Sequence, residues 1–152
     1  MNSSTVILTL NDIESIIQIE NACFSVPWSR ESFIKELQNP AAYYVGAACE
    51  EELAAYGGLW QVAGEGHITN IAVLPRYRRR GLGKHLLENM ICFAGEQKLA
   101  FLTLEVRKSN LAAIGLYAGF GFVKTGLRKN YYADTCEDAD IMTLYLEGHE
   151  TC

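Results

Sequence analysis

The sequence predicts an α/β domain in which antiparallel and parallel strand pairs share one sheet, and three observations carry that prediction. Between Tyr43 and Val73, short apolar runs are divided by turn residues, as in an antiparallel meander. After Pro75 the apolar period changes: Leu82, Leu86, Met90, Phe93 and Ala94 recur at helical intervals. That helix leads into "LAFLTLEV", residues 99 to 106, a continuous apolar run that suits a strand buried on both faces. A strand, helix and strand in succession form a right-handed crossover, which sets the two strands parallel.

Taken in order, Val6 to Leu10 reads as a first strand. Asn11 with Glu14 three residues later has the form of a capping box opening a helix through about Ala22, with Ile13, Ile16 and Ile17 on one side. A second helix is expected from Ser29, after the Pro27 break, to the Asn39-Pro40 turn signal. Glu50-Glu51-Glu52 and Gly64-Glu65-Gly66 divide the meander. The amphipathic helix should cover 81 to about 96, between parallel strands at 68 to 74 and 100 to 106. The carboxyl ends of those strands, near Val73 and Glu105, then open on one edge. Asn110 can cap a short helix over 111 to 118, weak alone because of Gly115 and Gly119. Phe120 to Arg128 and Ile141 to Leu146 read as closing strands.

At 152 residues, with no repeat or linker, the chain reads as a single domain over 1–152. Its 18 acids against 13 bases, a net charge of -5, argue against a general nucleic-acid binder, which needs a broad basic face. The N-terminus has no basic segment before a long apolar stretch, so neither a signal peptide nor a membrane partner is expected. Five cysteines, none in a Cys-x-x-Cys pair, read as reduced thiols in a cytoplasmic protein, with Cys152 mobile at the terminus. His67, His85 and His149 are scattered without ligand spacing, so no metal is expected.

Against that acidic background, "NIAVLPRYRRRGLGKHLL", residues 70 to 87, places Arg76, Arg78, Arg79, Arg80 and Lys84 within nine positions and no acid among them. A helix N-terminus offers unpaired backbone N–H groups and the positive end of the helix dipole, and Gly81 and Gly83 let an anion approach that backbone. The site suits a pyrophosphate. It is not a Walker A loop, for Arg78 stands where a glycine is needed and His85 where a Ser or Thr is needed. A dinucleotide fingerprint fails at Leu86.

The remaining pattern, Arg78-x-x-Gly81-x-Gly83 between an "IAVLP" strand end and an amphipathic helix, resembles the coenzyme A pyrophosphate loop of the GNAT N-acetyltransferases. Together with "VPWS" (26–29), "LEVRKSNLAAIGLYAGFGF" (104–122) and "RKNYY" (128–132), it is similar over nearly the whole chain to the RimI-type branch, the ribosomal-protein N-terminal alanine acetyltransferases. The resemblance implies a mixed sheet of about six to seven strands flanked by about four helices. It further implies acetyl-coenzyme A as co-substrate and a protein N-terminus, that of a small-subunit ribosomal protein, as acceptor. By the same resemblance Ile71, Ala72 and Val73 meet the acetyl and pantetheine portion, the segment Arg78, Arg79, Arg80, Gly81, Leu82, Gly83 and Lys84 holds the pyrophosphate, and Asn110 touches the coenzyme. Glu105 corresponds to the proton acceptor and Tyr117 to the proton donor, while Tyr131 and Tyr132 line the acceptor groove. The chain departs from the branch at Gly119-Phe120, where a charged or polar residue and a leucine are usual.

The residues themselves leave alternatives. Glu105, the only charge from Leu99 to Val106, is either a base beside the cleft or a carboxylate reaching water or Arg107. Tyr117, about 10 Å of helix rise from Asn110, either returns to that edge or packs helix on sheet. Asp134, Glu137, Asp138 and Asp140 attract basic acceptor residues or form a solvated hairpin, and Glu65 faces the acceptor or only turns the chain. Phe24 and Trp28 read as core, and Cys92 and Cys136 as bystanders to catalysis. At the level of function, the alternatives are acetylation of a small amine or an internal lysine, or a coenzyme A-binding module without catalysis.

Overall fold

The strands of the computed structural model, which describes residues 3–152, form a seven-stranded mixed sheet. In chain order the elements are β1 (Ser3–Ile7), α1 (Ile13–Cys23), α2 (Arg30–Gln38), β2 (Ala42–Cys49), β3 (Glu52–Val62), β4 (Glu65–Val73), α3 (Leu82–Glu96), β5 (Phe101–Arg107), α4 (Leu111–Gly119), β6 (Val123–Arg128) and β7 (Ala139–Tyr145). The spatial order is β1-β2-β3-β4-β5-β7-β6. Every pair is antiparallel except β4 with β5, the parallel pair that the α3 crossover requires.

The chain enters α1 two residues earlier than Asn11 suggests. Thr9 is the cap: its Oγ1 accepts from the Asn11 amide, and the Asp12 carboxylate accepts from the Thr9 amide, opening a short 3-10 turn that runs into α1. The first strand is correspondingly displaced to Ser3–Ile7. Ser29 and Asn110 cap α2 and α4 as expected, each accepting an amide hydrogen bond from the residue three further on.

Alternation along β3 separates two layers. A Cβ at Gly57 would meet Met90 of α3, whereas one at Gly58 would meet Tyr44, whose hydroxyl donates to Glu36 of α2. Thus α3 covers one face and α1 and α2 the other. On α3 the buried stripe is Leu82, Leu86, Leu87, Met90, Ile91 and Ala94. Two buried carboxylates fasten the opposite layer. Glu20 accepts from the Trp28 amide (2.8 Å) and from the Tyr56 hydroxyl; Glu36 accepts from Tyr44 (3.0 Å) and from the Trp60 indole. Burial raises the pKa of Glu20 against the pull of those donors.

Two expectations need correction. β5 is fully buried on one face only, that of Leu102, Leu104 and Val106, because Thr103 and Glu105 alternate with them on the other. Cys92 and Cys152 are joined as a disulfide rather than left as separate thiols, since the C-terminal tail returns along α3, a contact that spacing in the sequence cannot reveal. Cys23, Cys49 and Cys136 are free. No helix among the described residues is long and apolar enough to cross a membrane.

Candidate active site

Among the described residues, β4 and β5 pair at Gly66 with Leu102 and at His67 with Thr103 and no further, although both strands continue beyond. Against β3, the register of β4 slips between Ile68 and Asn70, so Thr69 is an extra residue that bends β4. The two strands therefore part toward their carboxyl ends. Ile71, Ala72 and Val73 lie along one side of the gap and Glu105 along the other. The Leu74 amide donates to the Ala54 carbonyl of β3, which turns the flanking Val73 peptide groups the opposite way, into the gap. The Val73 carbonyl is already held there by the Cys23 thiol (3.3 Å) and Arg78 Nε (3.0 Å).

Where β4 ends, the chain makes a turn suited to an anion. Arg79 and Gly81 take positive φ, 64° and 80°. A Cβ at Gly81 would meet nothing within 4 Å, so this glycine is needed for its backbone angle and not for room. The first amide of α3 to find an acceptor there is His85, on Gly81 O at 3.0 Å; the amides of Leu82, Gly83 and Lys84 stand at the positive end of the helix. Leu82 contributes only its backbone, for its side chain is in the core. The basic side chains divide. Arg76 pairs with Glu52, Arg78 folds back onto Val73, and Arg80 lies over the Tyr77 ring at 5.7 Å, so part of the cluster shapes the turn itself. Arg79 and Lys84 are exposed beside the amides.

Glu105 carries the other half of the site. Its side chain is only 10% exposed, with Oε2 at 3.1 Å from His67 Nε2 and Oε1 at 3.0 Å from Arg128 Nε. Burial pushes the carboxyl up, but His67 and then Arg128 outweigh it, leaving the pKa below the ordinary glutamate value. Tyr131 and Tyr132 stand edge to face at 5.1 Å, with Arg128 over the first ring and Arg107 over the second. The charge of Glu105 helps raise the pKa of both tyrosines after burial, which places them around the same carboxylate. Tyr117 is half-buried on α4, 5.7 Å from the Phe122 ring; burial first and Tyr132 second push its pKa up to about 12. Asn110, at the start of that helix, spends its carbonyl on the Ala113 amide.

Several sequence expectations change here. Arg107 does not take Glu105: it binds Asp134 (2.9 Å) and Glu137 (3.6 Å). Asp138 accepts from the Asn130 amide and Asp140 pairs with Lys124, so these acids have partners within the fold although the loop at 133–136 is exposed. Asp134 also accepts from Ser25 (2.6 Å), tying the α1–α2 loop to the β6–β7 loop across the mouth of the gap. Phe24 is not core, being 36% exposed in that loop, whereas Trp28 packs on Phe33 at 5.4 Å. Glu65 is the first residue of β4, exposed and paired in register across the β3–β4 hairpin with Val62. Sequence reasoning missed His67, Arg128 and Ser25. Only strand alternation plus a known register would have set His67 on the same face as Glu105, diagonally across from it.

Residues 13–122 match the model of the Acetyltransferase (GNAT) family. A Bacillus subtilis (strain 168) protein is 43% identical over 136 residues, 89% of this chain and 90% of its own. The ribosomal protein bS18-alanine N-acetyltransferase of Salmonella typhimurium is 39% identical over 140 residues, 91% of this chain and 94% of its own. The crystal structure of the ribosomal-protein-S18-alanine N-acetyltransferase from Escherichia coli superposes with a TM-score of 0.90 at 36% identity, covering 95% of this chain and 94% of that one. Ard1 from Thermoplasma volcanium shares the fold, with a TM-score of 0.88 at 24% identity over 95% of this chain and 98% of its own.

Proposed function

The chain belongs to the GNAT acetyltransferase family, and we propose that it moves the acetyl group of acetyl-coenzyme A to the N-terminal α-amine of a protein, the alanine that begins ribosomal protein bS18. The observation that carries this reading is a largely buried carboxylate, fixed at both oxygens, in the gap between two parting parallel strands whose far end leads into a helix start suited to an anion.

In this reading the amides of Leu82, Gly83 and Lys84, with Arg79 and Lys84, hold the pyrophosphate, while Arg78 acts at one remove by fixing Val73. Arg80, packed on Tyr77, stiffens the turn. Ile71, Ala72 and Val73 offer strand edge to the amide-bearing pantetheine arm, and the Val73 N–H polarises the thioester carbonyl. Asn110 starts the helix that brings Tyr117 to the sulfur.

The amine asks little of its base. A free α-amine has a pKa near 8, so about a tenth is neutral at pH 7, whereas a lysine amine near 10.4 is neutral well below one part in a thousand. A carboxylate held below its usual range cannot strip a proton from an ammonium ion. Glu105 instead receives the proton that the nitrogen sheds after it has attacked, directly or through a water, and His67 and Arg128 keep its oxygens aimed. Tyr117, with a pKa near 12, stays protonated and steadies the departing thiolate by a hydrogen bond. No acyl-enzyme is required, and Cys92 and Cys136 have no part in the reaction.

The test is a panel of peptides with free and with blocked N-termini, incubated with acetyl-coenzyme A. Acetylation confined to free N-termini, fastest on the bS18 sequence, supports the reading. Modification of blocked peptides at lysine overturns it.

A further inference from the structure

A second cluster lies at the other end of α3. Cys92 and Glu96 are one turn apart on the helix, and Cys152 reaches them from the C-terminal tail. One ligand atom from each of the three lies within 4.8 Å of the others, with Cys92 Sγ 3.5 Å from Glu96 Oε1. Among the described residues, no other group of three His, Cys, Asp or Glu side chains is so gathered.

The tail is seated there by shape. Thr151 lies against Gly95, where a Cβ would come within 2.3 Å of the threonine hydroxyl oxygen. A glycine inside a helix costs about 1 kcal/mol relative to alanine, and here it opens the notch that sets Cys152 beside Cys92.

We propose that these three residues, once the disulfide is reduced, form a binding site for a thiophilic divalent cation such as Zn2+. A disulfide gains nothing from a carboxylate at its side. Two thiolates and that carboxylate, by contrast, gather three negative charges that a divalent cation offsets, and they make an S2O donor set that zinc takes tetrahedrally with water in the fourth place. A phosphine or dithiol supplies the two electrons that cleave the S–S bond, and the two thiol protons leave to solvent as the sulfurs bind the ion. Zn–S bonds of about 2.3 Å set the sulfurs about 3.8 Å apart. Cys152, exposed on the tail, can make that movement. Because the cluster lies ten or more helical residues from Leu82, about 15–20 Å by helix rise, the ion anchors the tail and takes no part at the cleft.

The test is a zinc titration of phosphine-reduced, oxygen-free protein against a chromogenic chelator, alongside Cys152→Ser and Glu96→Gln. Uptake of one equivalent by the reduced wild-type chain is expected, with none at this site in Cys152→Ser or in the oxidised protein, and affinity weakened roughly ten-fold in Glu96→Gln. Zinc should also raise the melting temperature of the reduced wild-type chain and leave that of Cys152→Ser unmoved. Equal uptake by wild type and Cys152→Ser overturns the proposal, as does uptake that Cys136→Ser abolishes.

Discussion

Glu105 illustrates how neighbours and burial compete over one carboxyl. Desolvation alone would make it a stronger base, and its contacts with His67 and then Arg128 reverse the sign. Its charged form therefore exists at every pH where the acceptor amine is neutral. The rate at low acceptor concentration should climb about ten-fold per pH unit up to the amine pKa near 8 and then level off. It should not fall again until the pH approaches that of Tyr117 ionisation, near 12. Glu105→Gln should lower kcat by roughly 10²–10⁴ without altering that slope. His67→Gln removes one of the two groups that aim the carboxylate, and kcat should drop roughly 10–100-fold with little change in KM for the coenzyme. An inflection between pH 5 and 7 that persists in His67→Gln would assign the base a pKa in that interval and contradict this account.

Among the elements, the turn into α3 depends on one backbone angle. Gly81 has open space around its missing side chain and a φ of 80°, so Gly81→Ala pays only conformational strain, about 1–2 kcal/mol. The melting temperature should fall by roughly 2–8 °C, and KM for the coenzyme should rise while kcat stays near wild type. The elements were largely legible in the sequence because their signals are local. Ser29, Asn110 and Gly81 mark helix starts by their own chemistry, and the period of Leu82, Leu86 and Met90 needs no partner to be seen. Asn11 and Glu14 misled because Thr9 and Asp12, two residues earlier, make a box of the same form. Pairings made by the folded sheet were out of reach. His67 meets Glu105, and Asp134 takes Arg107 in its place, through strand register and loop return, which leave no trace in spacing.

At the level of the molecule, the Cys92–Cys152 link closes a 60-residue loop that contains β5, α4, β6 and β7. The chain-entropy estimate for such a loop is about 4 kcal/mol. Adding a phosphine reductant in a metal-free buffer should lower the melting temperature by several degrees, and Cys152→Ser should melt alike with and without it. A reductant effect that survives in Cys152→Ser would show that another thiol is responsible.

The short ladder between β4 and β5 has a mechanical meaning. Among the described residues, two register pairs, at Gly66 and His67, are the strand pairing that joins the four-stranded half of the sheet to the three-stranded half. A molecule inserted between the diverging ends acts as a wedge that bridges both halves and supplies partners for exposed strand edges. Coenzyme occupancy should therefore slow amide hydrogen exchange in β5 and β7 as well as in β4, so that protection spreads to strands the coenzyme never touches.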